Sequence, residues 1–295
     1  YASTTGAGNG QLVWLNRSGQ VTGTISQPQE AMNSPALSPD ERYVAVEANE
    51  QDNMDIWVHD VQRGTKIRLT FDAAQDRWPQ WSPDGTEVTF TSFRTRIDNA
   101  DIFKQQADGS GSIQPLIAGP KGDYVADWSR VGRHLVYFSN EKGSLDLWMV
   151  SLDGEKKAIA LTETQYNEML PALSPDGRYV AYQSNESGRW EVYVMPFPDG
   201  GSKWQVGVGY GPKWNRNGTE LFYVSDNSLM AVSVSTQGVF SAGIPEALFS
   251  VNQTRGYDVS ADGQRFVVVQ PVDEGETPTI TVVQNRYAEF KDKQE

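Results

Sequence analysis

A chain of 295 residues can bury one large hydrophobic core, roughly 75% of the surface its unfolded form exposes. Its 38 acidic against 25 basic residues leave a formal charge of −13, which disfavours nucleic acid and anionic membrane surfaces as partners. With no cysteine there is neither a disulfide framework nor a thiolate metal site, and no run of about 18 apolar residues offers a membrane insertion.

The first residues, YASTTGAGNG, lack the basic start and apolar middle of a secretion signal. QLVWLN at 11–16 reads as a strand and VTGTI at 21–25 as a weaker one, with no partner strand before them. A unit then begins to recur. LSPDERYVAV at 37–46 returns as WSPDGTEVTF at 81–90 and LSPDGRYVAY at 173–182. Equivalent turns start at Ser38, Ser82, Ser129, Ser174, Asn215 and Ser260, with gaps of 44, 47, 45, 41 and 45 residues. A period in the range of roughly 20–50 residues marks a repeat architecture.

Each unit opens with an apolar residue (Leu37, Trp81, Trp128, Leu173, Trp214, Val259), followed by the turn and an apolar run such as YVAV, LVYF or FVVV. These runs are rich in β-branched and aromatic residues without clean alternation, as expected of strands buried on both faces. A third strand follows an acidic residue: DIWV at 55–58, DIF at 101–103, DLWM at 146–149, EVYV at 191–194. A weaker fourth closes the unit, as in IRLT at 67–70, IALT at 159–162 and KWQV at 203–206. Four strands per unit and no helical period predict an all-β propeller of antiparallel blades, with repeats at about 31–70, 71–117, 118–162, 163–207, 208–249 and 250–290 in a single domain.

The turn accounts for its own recurrence. In Ser-Pro-Asp-Gly the proline presets φ, the Asp side chain bonds local backbone, and Gly supplies the left-handed residue of the hairpin. Glu41 in place of Gly, Arg130-Val131 in place of Pro-Asp, Arg216-Asn217 and Ala261-Asp262 read as degenerate copies of the same turn.

SPDG before an apolar strand, then D-I-W or D-L-W, then a strand ending in R-L-T, resembles the TolB-type, WD-like propeller repeat over residues 31–270. QLVWLNRSGQ, NESGRWEVYVMPFP, RGYDVSADGQRF and ITVVQNRYAEF further resemble the C-terminal propeller or sensor domain of bacterial membrane-anchored Ser/Thr kinases. The resemblance implies a bacterial, periplasmic or otherwise extracytoplasmic protein that binds proteins. The last unit has two strands, then ITVV at 280–283 and no fourth, so a closed ring expects residues 11–25 to complete a sixth blade. Seven blades, with YAST as the stub of a second strand, is the alternative.

Catalytic signatures are missing from the sequence. His59 and His134 fall at strand positions of the repeat, away from any acid or serine at motif spacing. There is no G-x-S-x-G elbow and no kinase motif, and the glycines of GVGYG at 207–211 precede a strand rather than a phosphate-binding helix. The acids heading the third strands, Asp55, Asp101, Asp146 and Glu191, are expected to bond turns within their own blades. Asp127 and Asp258, on the innermost strands of opposite repeats, are the candidates for a channel cation, against which Lys213 argues; otherwise no cofactor is expected.

The loops before the first strands are where the copies stop agreeing. Asn33, Arg77, Tyr124, Met169, Tyr210 and Arg255 stand five residues before their anchors, Trp78 follows Arg77, and Asp76, Asp123 and Glu168 stand one place earlier. Asn33, Arg77, Trp78, Tyr124, Glu168, Tyr210 and Arg255 are therefore the expected ligand-binding residues at the channel mouth. The expected function is non-catalytic recognition of a protein or peptide segment, or of an envelope ligand such as a sugar chain. A lyase or hydrolase on carbohydrate or peptide would need Asp76, Asp123 and Glu168 to cluster, and a purely structural arm would show a featureless rim.

Overall fold

The computed structural model describes residues 8–50, 52–96, 99–130, 133–153, 156–251 and 255–272. They form six antiparallel sheets arranged as the blades of a ring. Blade 1 runs from its inner strand Asn33–Leu37 through Tyr43–Glu50 and Asn53–Asp60 to Lys66–Arg68 at the outside. Blades 2, 3 and 4 repeat that order over 76–117, 123–160 and 168–208. In blade 5 the outer place is shared by Ser241–Ala242 and Glu246–Ser250, both paired with Ser228–Ser235.

Blade 6 is built from both parts of the chain. Tyr257–Val259 and Arg265–Pro271 supply its inner strands, and Asn9–Asn16 and Val21–Thr24 its third and fourth. Leu12 faces Val269 and Trp14 faces Val267 across the closing ladder, so six blades satisfy the ring without a seventh. ITVV at 280–283 and YAST lie outside the described residues.

Alternation along each second strand explains the unbroken apolar runs. Val44 and Val46 turn toward blade 6 and pack with Leu12, Trp14, Val267 and Val269. Ala45, with Ile56 and Val58, turns toward blade 2 and packs with Trp81, Val88 and Phe90. The same division recurs at every boundary, giving one apolar layer between each pair of blades. Each Val, Leu or Ile so buried contributes about 1.5–3 kcal/mol against leaving it exposed.

The SPDG hairpins take the expected geometry. Gly85, Gly177, Gly218 and Gly263 have φ of 72°, 69°, 74° and 70°, while the anchor hydroxyl of Ser38, Ser82, Ser174 or Ser260 donates to the turn aspartate. Glu41 adopts φ 60° in the glycine place. It does so while accepting from the Ala261 N–H of blade 6 and pairing with Arg265.

Candidate functional site: the central channel

The inner strands line a cavity of about 480 Å³ along the ring axis. Four of them carry a bulge between the fifth and second residues before the anchor: Asn33/Ala36, Arg77/Gln80, Met169/Ala172 and Tyr210/Lys213. The extra residue is left-handed, with φ of 52° at Ser34, 51° at Trp78, 49° at Leu170 and 66° at Gly211. A bulky side chain in that region carries strain of about 1–2 kcal/mol, and the bulge re-aims it. Ser34, Trp78, Leu170 and Gly211 all line the channel.

Residues in this position, bulged or not, are clasped by the preceding blade. Trp78 N donates to Glu47 Oε2 at 2.9 Å, Val125 N to Thr91 Oγ1 at 3.0 Å, and Gly211 N to Gln183 Oε1 at 3.0 Å. Glu47 is buried, and burial raises its pKa against the opposing pull of the Trp78 N–H and the Arg77 charge.

A second set of clasps explains Asp127 and Asp258. Where a blade opens with tryptophan, the indole reaches back: Trp81 Nε1 to Ala36 O at 2.9 Å, Trp214 Nε1 to Ala172 O at 2.9 Å, Trp128 Nε1 to Thr89 Oγ1 at 3.1 Å. Blades 1 and 4 open with leucine and have no such donor. There an aspartate of the preceding blade accepts the leucine amide instead, Asp258 Oδ2 from Leu37 N and Asp127 Oδ2 from Leu173 N, both at 2.7 Å. The other oxygen of each takes the next amide of its own strand, Val259 N at 2.9 Å and Trp128 N at 2.8 Å. Lys213 Nζ lies 4.0 Å from Asp258. Burial pushes Asp127 up to about 6, opposed by the Leu173 N–H and Lys213 and reinforced by the charge of Asp258. These acids act as blade clasps, and among the described residues no group of three or more His, Asp or Glu could hold a metal ion.

Of the residues expected at the mouth, Trp78 and Tyr210 line the channel, and Tyr210 is 48% exposed. Tyr124 stacks on Phe138 at 5.1 Å and meets Trp78 edge-on at 5.6 Å, backing that wall. Asn33 donates to Ala31 O, Arg77 to Gln75 and Arg255 to Gly8 O, all one step outside the lining. Glu168 is 2% exposed and accepts from Thr164 and Ser184.

The acids proposed as a cluster do not meet. Asp76 accepts from Arg94 Nη2 on both oxygens, at 2.8 and 3.0 Å, and from Ser92 and Thr70, and Glu168 serves its own blade. Burial pushes Asp123 up to about 6, and the carboxyls that add to the shift are Asp101 and Glu141. The third-strand acids bond within their blades: Asp55 to Arg68 and Thr70, Asp101 to Gly119 N, Asp146 to Thr164 N, Glu191 to Tyr193. His59 is 1% exposed, and burial lowers it to about 4; His134 packs edge-on against Phe197. The glycines of GVGYG make room for blade 5, since a Cβ on Gly207 or Gly209 would strike Tyr223 or the Val224 carbonyl.

Position in the repeat did not reveal a feature at the far end of the channel. The residues just after the anchors, Pro39, Pro83, Arg130, Pro175, Arg216 and Ala261, form the wall at the turn mouth. Two of the six are arginines.

A family model described as the TolB beta propeller domain matches residues 7–195. The chain is similar to an uncharacterized protein of Agrobacterium fabrum, 28% identical over 162 residues that make 50% of this chain and 54% of that protein. It is 31% identical to a Protein TolB homolog of Chlorobaculum tepidum over 107 residues, 34% of this chain and 24% of the homolog. The chain thus spans about half or less of the length of these curated relatives. A solved structure, a putative TolB from Agrobacterium tumefaciens, shares the fold at TM-score 0.72 and 17% identity, over 90% of this chain and 99% of that one.

Proposed function

Because the chain belongs to the TolB beta propeller domain family, we propose that it is a non-catalytic binding propeller whose channel takes an extended protein or peptide segment in an extracytoplasmic compartment. The likeness to TolB homologs supports that compartment and a protein partner. The observation that carries the reading is the bulged wall: Trp78 is held left-handed by a buried glutamate of the neighbouring blade, and its side chain lines a cavity it shares with Tyr210. Strain of this kind persists where the surroundings over-determine it and clusters at ligand clamps. Rigid aromatics at a concave mouth give an extended segment contact area at little entropic cost.

The test is selection of peptides from a displayed random library on the immobilised protein, followed by titration of the selected peptides. Trp78→Ala and Tyr210→Ala should each weaken binding at least about 10-fold, the scale of an aromatic anchor. Ile159→Ala and Val21→Ala, exposed on the blades, should leave it unchanged. Equal loss from both pairs, or selection of no peptide, overturns the reading, and a glycan that binds at Trp78 where peptides fail would replace peptide with sugar.

A further inference from the structure

The turn mouth carries a second, chemically distinct feature. Arg130 of blade 3 and Arg216 of blade 5 stand where SPDG places proline, and both line the channel. Neither guanidinium has a hydrogen-bond or ion-pair partner among the described residues, whereas Arg17 and Arg265, which also reach a neighbouring blade, are bonded to Glu220 and Glu41.

The acids nearby answer them through space alone. Asp127 and Asp258 spend their oxygens on the amides of Leu173, Trp128, Leu37 and Val259. Counting Lys213, the channel wall holds three cations against two anions, a surplus of one positive charge. Arg130 is exposed on the channel side, and burial followed by the charge of Arg216 lowers its pKa against the opposing pull of Asp127, so the two guanidiniums feel each other. Two cations answered only in part, by a carboxylate that already takes two amides, gain from an anion placed between them. The planar fork of arginine suits a carboxylate, and a surplus of one charge matches a monoanion better than phosphate, which the two aspartates would repel.

We propose that Arg130 and Arg216 form a carboxylate site at the turn mouth, taking the side chain of an acidic residue in the segment that occupies the channel. This rests on the channel as a peptide site, with Trp78 and Tyr210 at one mouth and the arginine pair at the other.

The probes are N-acetylglutamic acid α-amide, its glutamine analogue and inorganic phosphate, titrated separately into the full chain labelled with ¹⁵N-arginine. The Nε–H signals of Arg130 and Arg216 should move together and saturate with the glutamate compound near 1 mM, the scale of one charge-assisted contact. The glutamine analogue should bind at least about 10-fold more weakly, as should the glutamate compound to Arg130→Gln or Arg216→Gln. Arg130→Lys and Arg216→Lys should retain part of the affinity, and Trp78→Ala all of it. Phosphate bound more tightly than the glutamate compound, equal binding of the glutamine analogue, or no loss in either Gln variant overturns the proposal. Melting curves of the Gln variants that match the parent certify the fold. Because no selected peptide enters this titration, failure of the peptide selection and failure of the carboxylate site are read separately.

Discussion

The two mouths of the channel differ in how they use variation. At the strand-start mouth the six blades carry four residue types, yet Asn33, Arg77 and Arg255 are tied to nearby backbone or glutamine and Glu168 is buried. At the turn mouth the motif is the most repeated in the chain, and the two arginines that replace its proline face the channel with no hydrogen-bond or ion-pair partner among the described residues. Variation where the scaffold is permissive carries little information. Variation inside a constrained turn places a side chain where every other copy has a small apolar one.

The largest expected effect tests whether the strand-start acids belong to the scaffold. Asp123 is pushed from an ordinary 3.8 up to about 6, so its folded state holds the proton more tightly than the unfolded chain. The sign follows: stability from this group is fully present below about pH 4 and is lost as pH rises through about 6. A rise from 3.8 to about 6 sets a ceiling of about 3 kcal/mol. Urea unfolding at pH 4 and pH 7.5 should show Asp123→Asn gaining on the parent at the higher pH by about 2 kcal/mol, most of that ceiling. A constant difference at both values would mean that Asp123 is ionised without penalty.

Next come the clasps. Asp258→Ala and Asp127→Ala each strip a leucine amide of its acceptor, and a buried donor left unpaired costs about 1–3 kcal/mol. Asn33→Ala, at the strand-start mouth, should stay within about 0.5 kcal/mol. If the two aspartate variants unfold at the parent's urea midpoint, the clasps do not hold the blades.

How much of this was legible follows from where the repeat speaks. The blade and its count were written in six copies of one hairpin, and QLVWLN could be matched to a closing strand because it shares the apolar pattern of the third strands. At the mouth, Trp78 and Tyr210 were legible while Ser34 and Leu170 were not. A bulge with a left-handed residue moves the channel-facing position to Ser34, Trp78 and Leu170, and none of these residue types signals positive φ, although Gly211 and Gly256 in the same column did. Asp127 and Asp258 as clasps were legible and missed: each aspartate stands in the blade before one that opens with leucine instead of tryptophan. The arginines passed for tolerated drift because a turn can form without its proline. Only the ring geometry shows that the replaced prolines face a shared space.

Glu41 sets the two kinds of departure against each other. Its φ of 60° is strained for a glutamate, and Glu41→Gly should recover about 1 kcal/mol of backbone strain. The same change removes the acceptor for Ala261 N and the pair with Arg265, a loss of about 1–2 kcal/mol. The net is a destabilisation of at most about 1 kcal/mol, and it should shrink in an Arg265→Gln background, which has already lost half of the contact. Equal effects in both backgrounds would leave Glu41 as a turn residue alone.

The smallest effect is the most discriminating for the turn mouth. If Arg130 and Arg216 were scaffold, like the prolines they replace, removing them would loosen the hairpins and lower stability. If they form a site, they are held together against their own repulsion, and Arg130→Gln with Arg216→Gln should leave stability unchanged or raise it by less than about 0.5 kcal/mol. The gain should fade in 1 M salt, where charges more than about 3 Å apart are screened. Urea midpoints of the double variant at low and high salt decide between the two. A midpoint lowered at both would return the arginines to the scaffold, and an unchanged or raised one would leave them with no structural task at the end of a channel whose acids are already engaged.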